Sequence, residues 1–134
     1  MRLFLSLCLL GSAALLADLN WASNYAKAFA DAKEQEKGVM IMLSKENCDA
    51  CWYMDNIVFD DADLAEKLEE KFVPLYLDIN DDNIHELSFK ETPTLYFMQS
   101  SGEMIERLDG VYNIKELTAA MLKIKVEIIE EENQ

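Results

Sequence analysis

The sequence predicts one α/β domain in which a four-stranded sheet is covered by helices. Three observations carry this expectation. Val39-Met40-Ile41-Met42-Leu43 is a continuous apolar run of strand length with polar residues after it, the pattern of a strand buried on both faces. Stretches with apolar residues at helical spacing lie before it, after it and near the C-terminus, and supply the covering layers. Two further strand-like runs are joined by the hairpin signal Ser101-Gly102. A chain of 134 residues is long enough for one domain with a real core and too short for two.

Met1 to Ala17 reads as a secretory signal peptide. Arg2 is a short basic start, and the apolar run from Leu3 to Leu16 stops at Asp18 without basic stop-transfer residues. Cleavage is expected after Ala17, with Ala14 as the alternative and an uncleaved anchor as the competing reading. A lipoprotein role for Cys8 is disfavoured because Leu7 stands where a small residue is required. The folded domain is then residues 18–134, placed in the periplasm or otherwise exported. Export implies an oxidising compartment, and it leaves Cys48 and Cys51 as the cysteines of the mature chain.

Trp21 to Lys37 follows as an amphipathic helix, with Trp21, Tyr25, Ala28, Phe29 and Ala32 on its apolar face, Asn20 or Ser23 as cap and Gly38 as terminator. After the Val39–Leu43 strand, Ser44 to Asn47 form a loop and Trp52 to Val58 is compatible with helix. Asp60-Asp61-Ala62-Asp63 starts another helix, whose face is Leu64, Leu68 and Phe72. Val73, Leu75, Leu77 and Ile79 alternate as a second strand, with Pro74 near its start. Asn80 to Asn83 is a turn; it lacks the glycine and terminal glutamate of a calcium loop. His85 reads as a surface or helix-end residue. Leu95 to Met98 and Met104 to Leu108 are the third and fourth strands. A final helix runs from Ile114, capped by Asn113, to about Glu130, and the acidic tail to Gln134 is expected to be frayed.

Net charge is −14, which argues against nucleic acid and anionic membrane surfaces as partners, because phosphate recognition needs lysine and arginine stripes. The chemistry is concentrated in Cys48-Asp49-Ala50-Cys51, between the buried strand and a helix start. Unpaired N–H groups and the positive dipole end of a helix stabilise a thiolate on its first cysteine. The thiolate is the attacking species, and a second thiol three residues on can resolve a mixed disulfide. Cys48 is therefore the expected nucleophile and Cys51 the resolving thiol. Glu46, Asp49 and Asp55 oppose the dipole if they lie close, with Lys45 on its side, which leans away from a very strong oxidant. A zinc site would need two more ligands, and only Cys8 and His85 remain as cysteine or histidine. Haem attachment would need histidine where Trp52 stands. An inert structural disulfide stays open as the alternative.

The order of Ala26-Lys27-Ala28-Phe29-Ala30-Asp31-Ala32-Lys33, Cys48-Asp49-Ala50-Cys51-Trp52-Tyr53-Met54, Phe72-Val73-Pro74-Leu75 and Thr92-Pro93-Thr94, with Gly102 and Gly110 after them, resembles the thioredoxin-like proteins, in particular their exported thioredoxin-related group. The resemblance covers nearly all of the mature chain. It implies a thioredoxin-like fold, a central mixed four-stranded sheet flanked by helices. It also implies a cis bond before Pro93 next to the thiols, leaving the Thr92 backbone to pair with an extended substrate. The implied activity is reduction or isomerisation of protein disulfides without a cofactor. The implied partners are client proteins with cysteines or disulfides and a membrane or periplasmic redox partner for recycling, with the protein itself a monomer. The chain departs from thioredoxins proper in two places. Met42 stands where they bury an aspartate, six residues before the first cysteine, and Asn47 stands where they carry tryptophan. A non-catalytic binding or chaperone module with a permanent Cys48–Cys51 bridge is the alternative function.

Overall fold

A computed structural model describes residues 19–128. The expected signal peptide with Cys8, and the acidic tail, lie outside the described residues. The elements are α1 (Tyr25–Gln35), β1 (Gly38–Ser44), α2 (Asp49–Tyr53) continuing into a π-helical turn (Met54–Val58), α3 (Ala62–Lys71), β2 (Phe72–Asp78), β3 (Thr94–Met98), β4 (Met104–Asp109) and α4 (Ile114–Lys123). The sheet order is β2-β1-β3-β4. β1 and β2 are parallel, while β1–β3 and β3–β4 are antiparallel, so the sheet is mixed.

β1 is buried along its whole length, and its side chains alternate between two cores. Val39, Ile41 and Leu43 pack with Val73, Leu75, Leu77, Tyr96 and Met98 against Ala28 and Ala32 of α1. Met40 and Met42 face the other way, with Phe72, Leu95 and Phe97, into a cluster containing Cys51, Met54, Val58, Leu64, Leu68, Leu117 and Met121. The small Ala28 and Ala32 let α1 lie close to its face of the sheet. The larger second core is roofed by α2, α3 and α4.

Element limits differ from the sequence expectation chiefly at α1 and α4, and Phe72, expected on the face of α3, opens β2 instead. α1 starts at Tyr25 rather than Trp21. Asn24 is its cap, accepting from the Lys27 N–H at 2.8 Å. The residues before it run along the sheet edge instead: the Ala22 N–H donates to the Pro74 carbonyl at 2.8 Å, and Trp21 lodges edge-on between Phe59 and Tyr76. That edge position also accommodates Pro74, which lacks an N–H for a further strand. α1 closes at Glu36 in the left-handed conformation, φ 57°. Gly38 opens β1 rather than ending the helix. A Cβ on it would lie 2.5 Å from the Met98 carbonyl oxygen and 3.0 Å from the Phe72 ring, so the glycine permits close approach of β1 to β3.

α4 ends at Lys123, not near Glu130. Lys71 Nζ donates to the Met121 and Ile124 carbonyls at 3.3 and 3.2 Å, closing the helix C-terminus with a cation. Beyond it, Gln99 Oε1 accepts from the Glu127 N–H at 2.9 Å and holds the chain extended. Asn113 caps α4 as expected, in a reciprocal box with Glu116.

Candidate active site

β1 delivers the chain to Ser44, and Lys45 to Asn47 turn it into α2. Asn47 takes φ 54°, a left-handed conformation that asparagine tolerates better than most residues. Cys48 is the N-cap of α2, and its Sγ accepts from the Cys51 N–H at 3.2 Å. Cys48 and Cys51 form a disulfide with their Cα atoms 5.2 Å apart. The two sulfurs differ in surroundings. Cys48 is half-buried at the surface, and Cys51 is 4% exposed within the apolar core. An incoming group therefore meets Cys48 first.

Thr92 and Pro93 arrive at the same place from the other side of the sheet. Cys48 Sγ lies 3.6 Å from the Thr92 carbonyl oxygen and 3.5 Å from its hydroxyl. The Thr92–Pro93 bond is cis, in agreement with the family resemblance. Pro93 is buried, its carbonyl accepts from the Gly110 N–H at 2.9 Å, and Thr94 Oγ1 donates to the Glu91 carbonyl at 2.7 Å. Gly110 has φ 84°, and a Cβ there would lie 2.8 Å from Glu91 Oε1. The strand-end glycine thus lets the loop carrying Thr92 close down beside the thiols.

The electrostatic contest expected around Cys48 is a surface one. Lys45, Glu46, Asp49 and Asp55 are all exposed, so water screens their fields at the sulfur. Among the contacts described above, three polar groups lie within reach of Cys48 Sγ: the backbone N–H of Cys51 and the Thr92 hydroxyl, which can donate to a thiolate, and the Thr92 carbonyl, which can accept from a thiol. Met42 is fully buried in the same cluster as Cys51. His85 is exposed, stacks on Tyr25 at 3.8 Å and lies on the α1 side of the sheet, opposite the face that holds Cys51. Asn80 to Asn83 is a turn fastened to the end of β2 by two acids: Asp78 Oδ1 accepts from the Asn80 N–H at 2.8 Å, and Asp82 Oδ2 from the Asp78 N–H at 2.7 Å.

The sequence did not single out Ser44 and Tyr76. Tyr76 donates its hydroxyl proton to Ser44 Oγ at 2.8 Å. Both line an open groove of about 310 Å³ together with Cys48, Cys51 and the exposed Trp52. The one available signal was a tyrosine set among the apolar residues of β2.

The sequence profile of the thioredoxin-like domain matches residues 25–125. The chain belongs to the thioredoxin-like family. Among solved structures, a thioredoxin from Thermus thermophilus superposes with a TM-score of 0.70 at 26% identity, covering 79% of this chain and 86% of that one. A candidate disulphide-isomerase from Bacteroides thetaiotaomicron gives 0.69 at 25% identity, covering 81% and 95%. The DsbH oxidoreductase gives 0.62 at 17% identity, covering 81% and 88%, and shares the fold. No curated protein matches the sequence. A thioredoxin-like fold with a CxxC pair close enough to bridge places the chain among proteins of thiol–disulfide oxidoreductase type.

Proposed function

We propose that the protein is an exported thiol–disulfide oxidoreductase that reduces or isomerises disulfides in client proteins. The observation that carries this reading is the unequal placement of the bridged pair. Cys48 stands half-buried at a helix start beside Thr92 and lines an open groove, and Cys51 is buried behind it. Reduced Cys48, as thiolate, attacks a client disulfide. One client sulfur leaves and a mixed disulfide forms. Cys51 then attacks Cys48 Sγ, the client's second sulfur leaves, and two electrons have passed from the cysteine pair to the client. Thr92 and Pro93 form the substrate-binding edge, where the Thr92 backbone pairs with an extended client segment. A membrane or periplasmic reductant restores the dithiol. Export rests on Arg2 and the apolar run to Leu16, read as a signal peptide over residues 1–17 ahead of a domain over 18–134.

The test is equilibration of the purified protein against graded glutathione ratios, with thiols counted by alkylation and mass. A working pair is expected to titrate between about −120 and −270 mV, whereas a structural bridge falls below about −300 mV. Cys51→Ala is expected to accumulate mixed disulfides with clients in the producing cells. Recovery of unlinked monomer alone, with a pair that stays oxidised throughout the titration, would overturn the reading.

A further inference from the structure

The resolving step demands that Cys51 lose a proton in a place poorly suited to charge. Cys51 is 4% exposed among apolar side chains, and such burial disfavours a thiolate. Among the described residues the buried polar or charged side chains are Ser44, Thr94, Gln99 and Ser100, so no buried carboxylate, histidine or lysine is there to take the proton. The groove at the thiols is lined by the exposed charges Lys45, Asp49 and Asp55, which water screens, and by one hydrogen-bonded hydroxyl pair that reaches into the core, Ser44 and Tyr76. Ser44 continues the alternation of Met40 and Met42 along β1, which places it on the sheet face that holds Cys51. Tyr76 is the register partner of Met42 on the parallel strand β2, on the same face. Trp21 packs edge-on against the Tyr76 ring at 5.9 Å.

We propose that Ser44 and Tyr76 form a positioning pair that assists deprotonation of Cys51. This rests on Cys48–Cys51 being a working redox pair. Ser44 is fully buried and Tyr76 is 38% exposed, so the two hydroxyls span the distance from core to solvent along the groove that also contains both sulfurs. The Tyr76 hydroxyl donates to Ser44 Oγ. Ser44, its lone pair engaged, keeps its own proton to give. Directed across the groove, directly or through one water for which the space suffices, that proton stabilises the negative charge developing on Cys51 Sγ. The thiol proton leaves through the groove to solvent. The Cys51 electron pair then forms the S–S bond to Cys48, the bond from Cys48 to the client sulfur breaks, and the departing thiolate is protonated from solvent.

The experiment follows both steps separately. Reduced protein is mixed with oxidised glutathione, quenched in acid at intervals, and the glutathione adduct of Cys48 is counted by mass between about pH 6 and pH 9. For Tyr76→Phe, which keeps the ring against Trp21, adduct formation is expected at the wild-type rate. Its resolution is expected to slow about fivefold near pH 6 to 7, the loss of one hydrogen bond, with the difference closing toward pH 9, where hydroxide removes the proton unaided. Ser44→Ala is expected to show the same pH-dependent defect, and Tyr76→Phe stands in for it if the buried substitution prevents folding. Equal resolution rates in all three proteins would overturn the proposal, as would slowing that is uniform across pH, which marks a packing effect. If the wild type forms neither the adduct nor the Cys48–Cys51 disulfide at any pH, the oxidoreductase reading itself fails.

Discussion

Thr92 acts on Cys48 from 44 residues away in sequence, and it does so with a backbone and a side-chain group at once. While the disulfide is closed, the sulfur has no proton, so the hydroxyl is the donor across that 3.5 Å contact. The same hydroxyl and the Cys51 N–H, both already directed at Cys48 Sγ, are expected to stabilise the thiolate after reduction. A hydrogen bond to a charged group contributes about 1.5 kcal/mol or more, so Thr92→Val, which keeps the shape and removes the donor, is expected to slow alkylation of Cys48 at neutral pH about tenfold. Iodoacetamide kinetics on the reduced protein would check this; an unchanged rate would leave the Cys51 N–H as the dominant stabiliser. Thr92 was legible in the sequence only through the Thr-Pro-Thr motif and its resemblance. No local pattern places residue 92 beside residue 48. Ser44 and Tyr76 were illegible for the same reason: one reads as loop and the other as a strand residue, until β1 and β2 pair in parallel.

Elements are set here by a few contacts that sequence patterns reveal unequally. The Asn113–Glu116 capping box lies within four residues of chain and could be read directly. Asn113→Ala removes the acceptor for the Glu116 N–H and is expected to cost about 1 kcal/mol, seen as a lower urea midpoint with an unchanged slope. Gly38 is the contrary case. Its position after an amphipathic run marks it as a helix stop, yet the stop is Glu36, and the glycine is required by the Met98 carbonyl 2.5 Å from where a Cβ would sit. Gly38→Ala must part β1 from β3 or distort Phe72, and is expected to destabilise by about 2–3 kcal/mol. A urea titration showing less than half a kcal/mol would mean that the strands separate freely there. The early end of α4 belongs to the same class, since Lys71 caps it from 50 residues upstream.

At the scale of the whole molecule, periodicity was enough for the layers, because β1 is apolar at every position through Leu43 and α1 offers alanines on its sheet-facing side. Strand order and the mixed pairing depend on long-range register, which the resemblance supplied and the residues alone did not. The resulting architecture carries two apolar cores, one on each face; the disulfide touches one of them, through buried Cys51 and half-buried Cys48, and the other contains neither cysteine. The bridge closes a loop of only four residues, whose closure entropy is worth about 2 kcal/mol. Opening it should therefore lower the free energy of unfolding by about 2 kcal/mol or less, leaving a folded, cooperative reduced protein. With a urea slope of roughly 1–3 kcal/mol per molar for a domain of this size, the oxidised and reduced midpoints should differ by about 2 M or less. By linkage, the stability that the bridge adds to the fold is the same quantity that favours oxidation of the folded over the unfolded pair, at about 30 mV for 1.4 kcal/mol. A small midpoint difference is thus what a reversible redox pair requires. A reduced form that unfolds, or that loses more than about 4 kcal/mol, would make the bridge a structural staple of the kind small secreted domains depend on, and the oxidoreductase reading would fall with it.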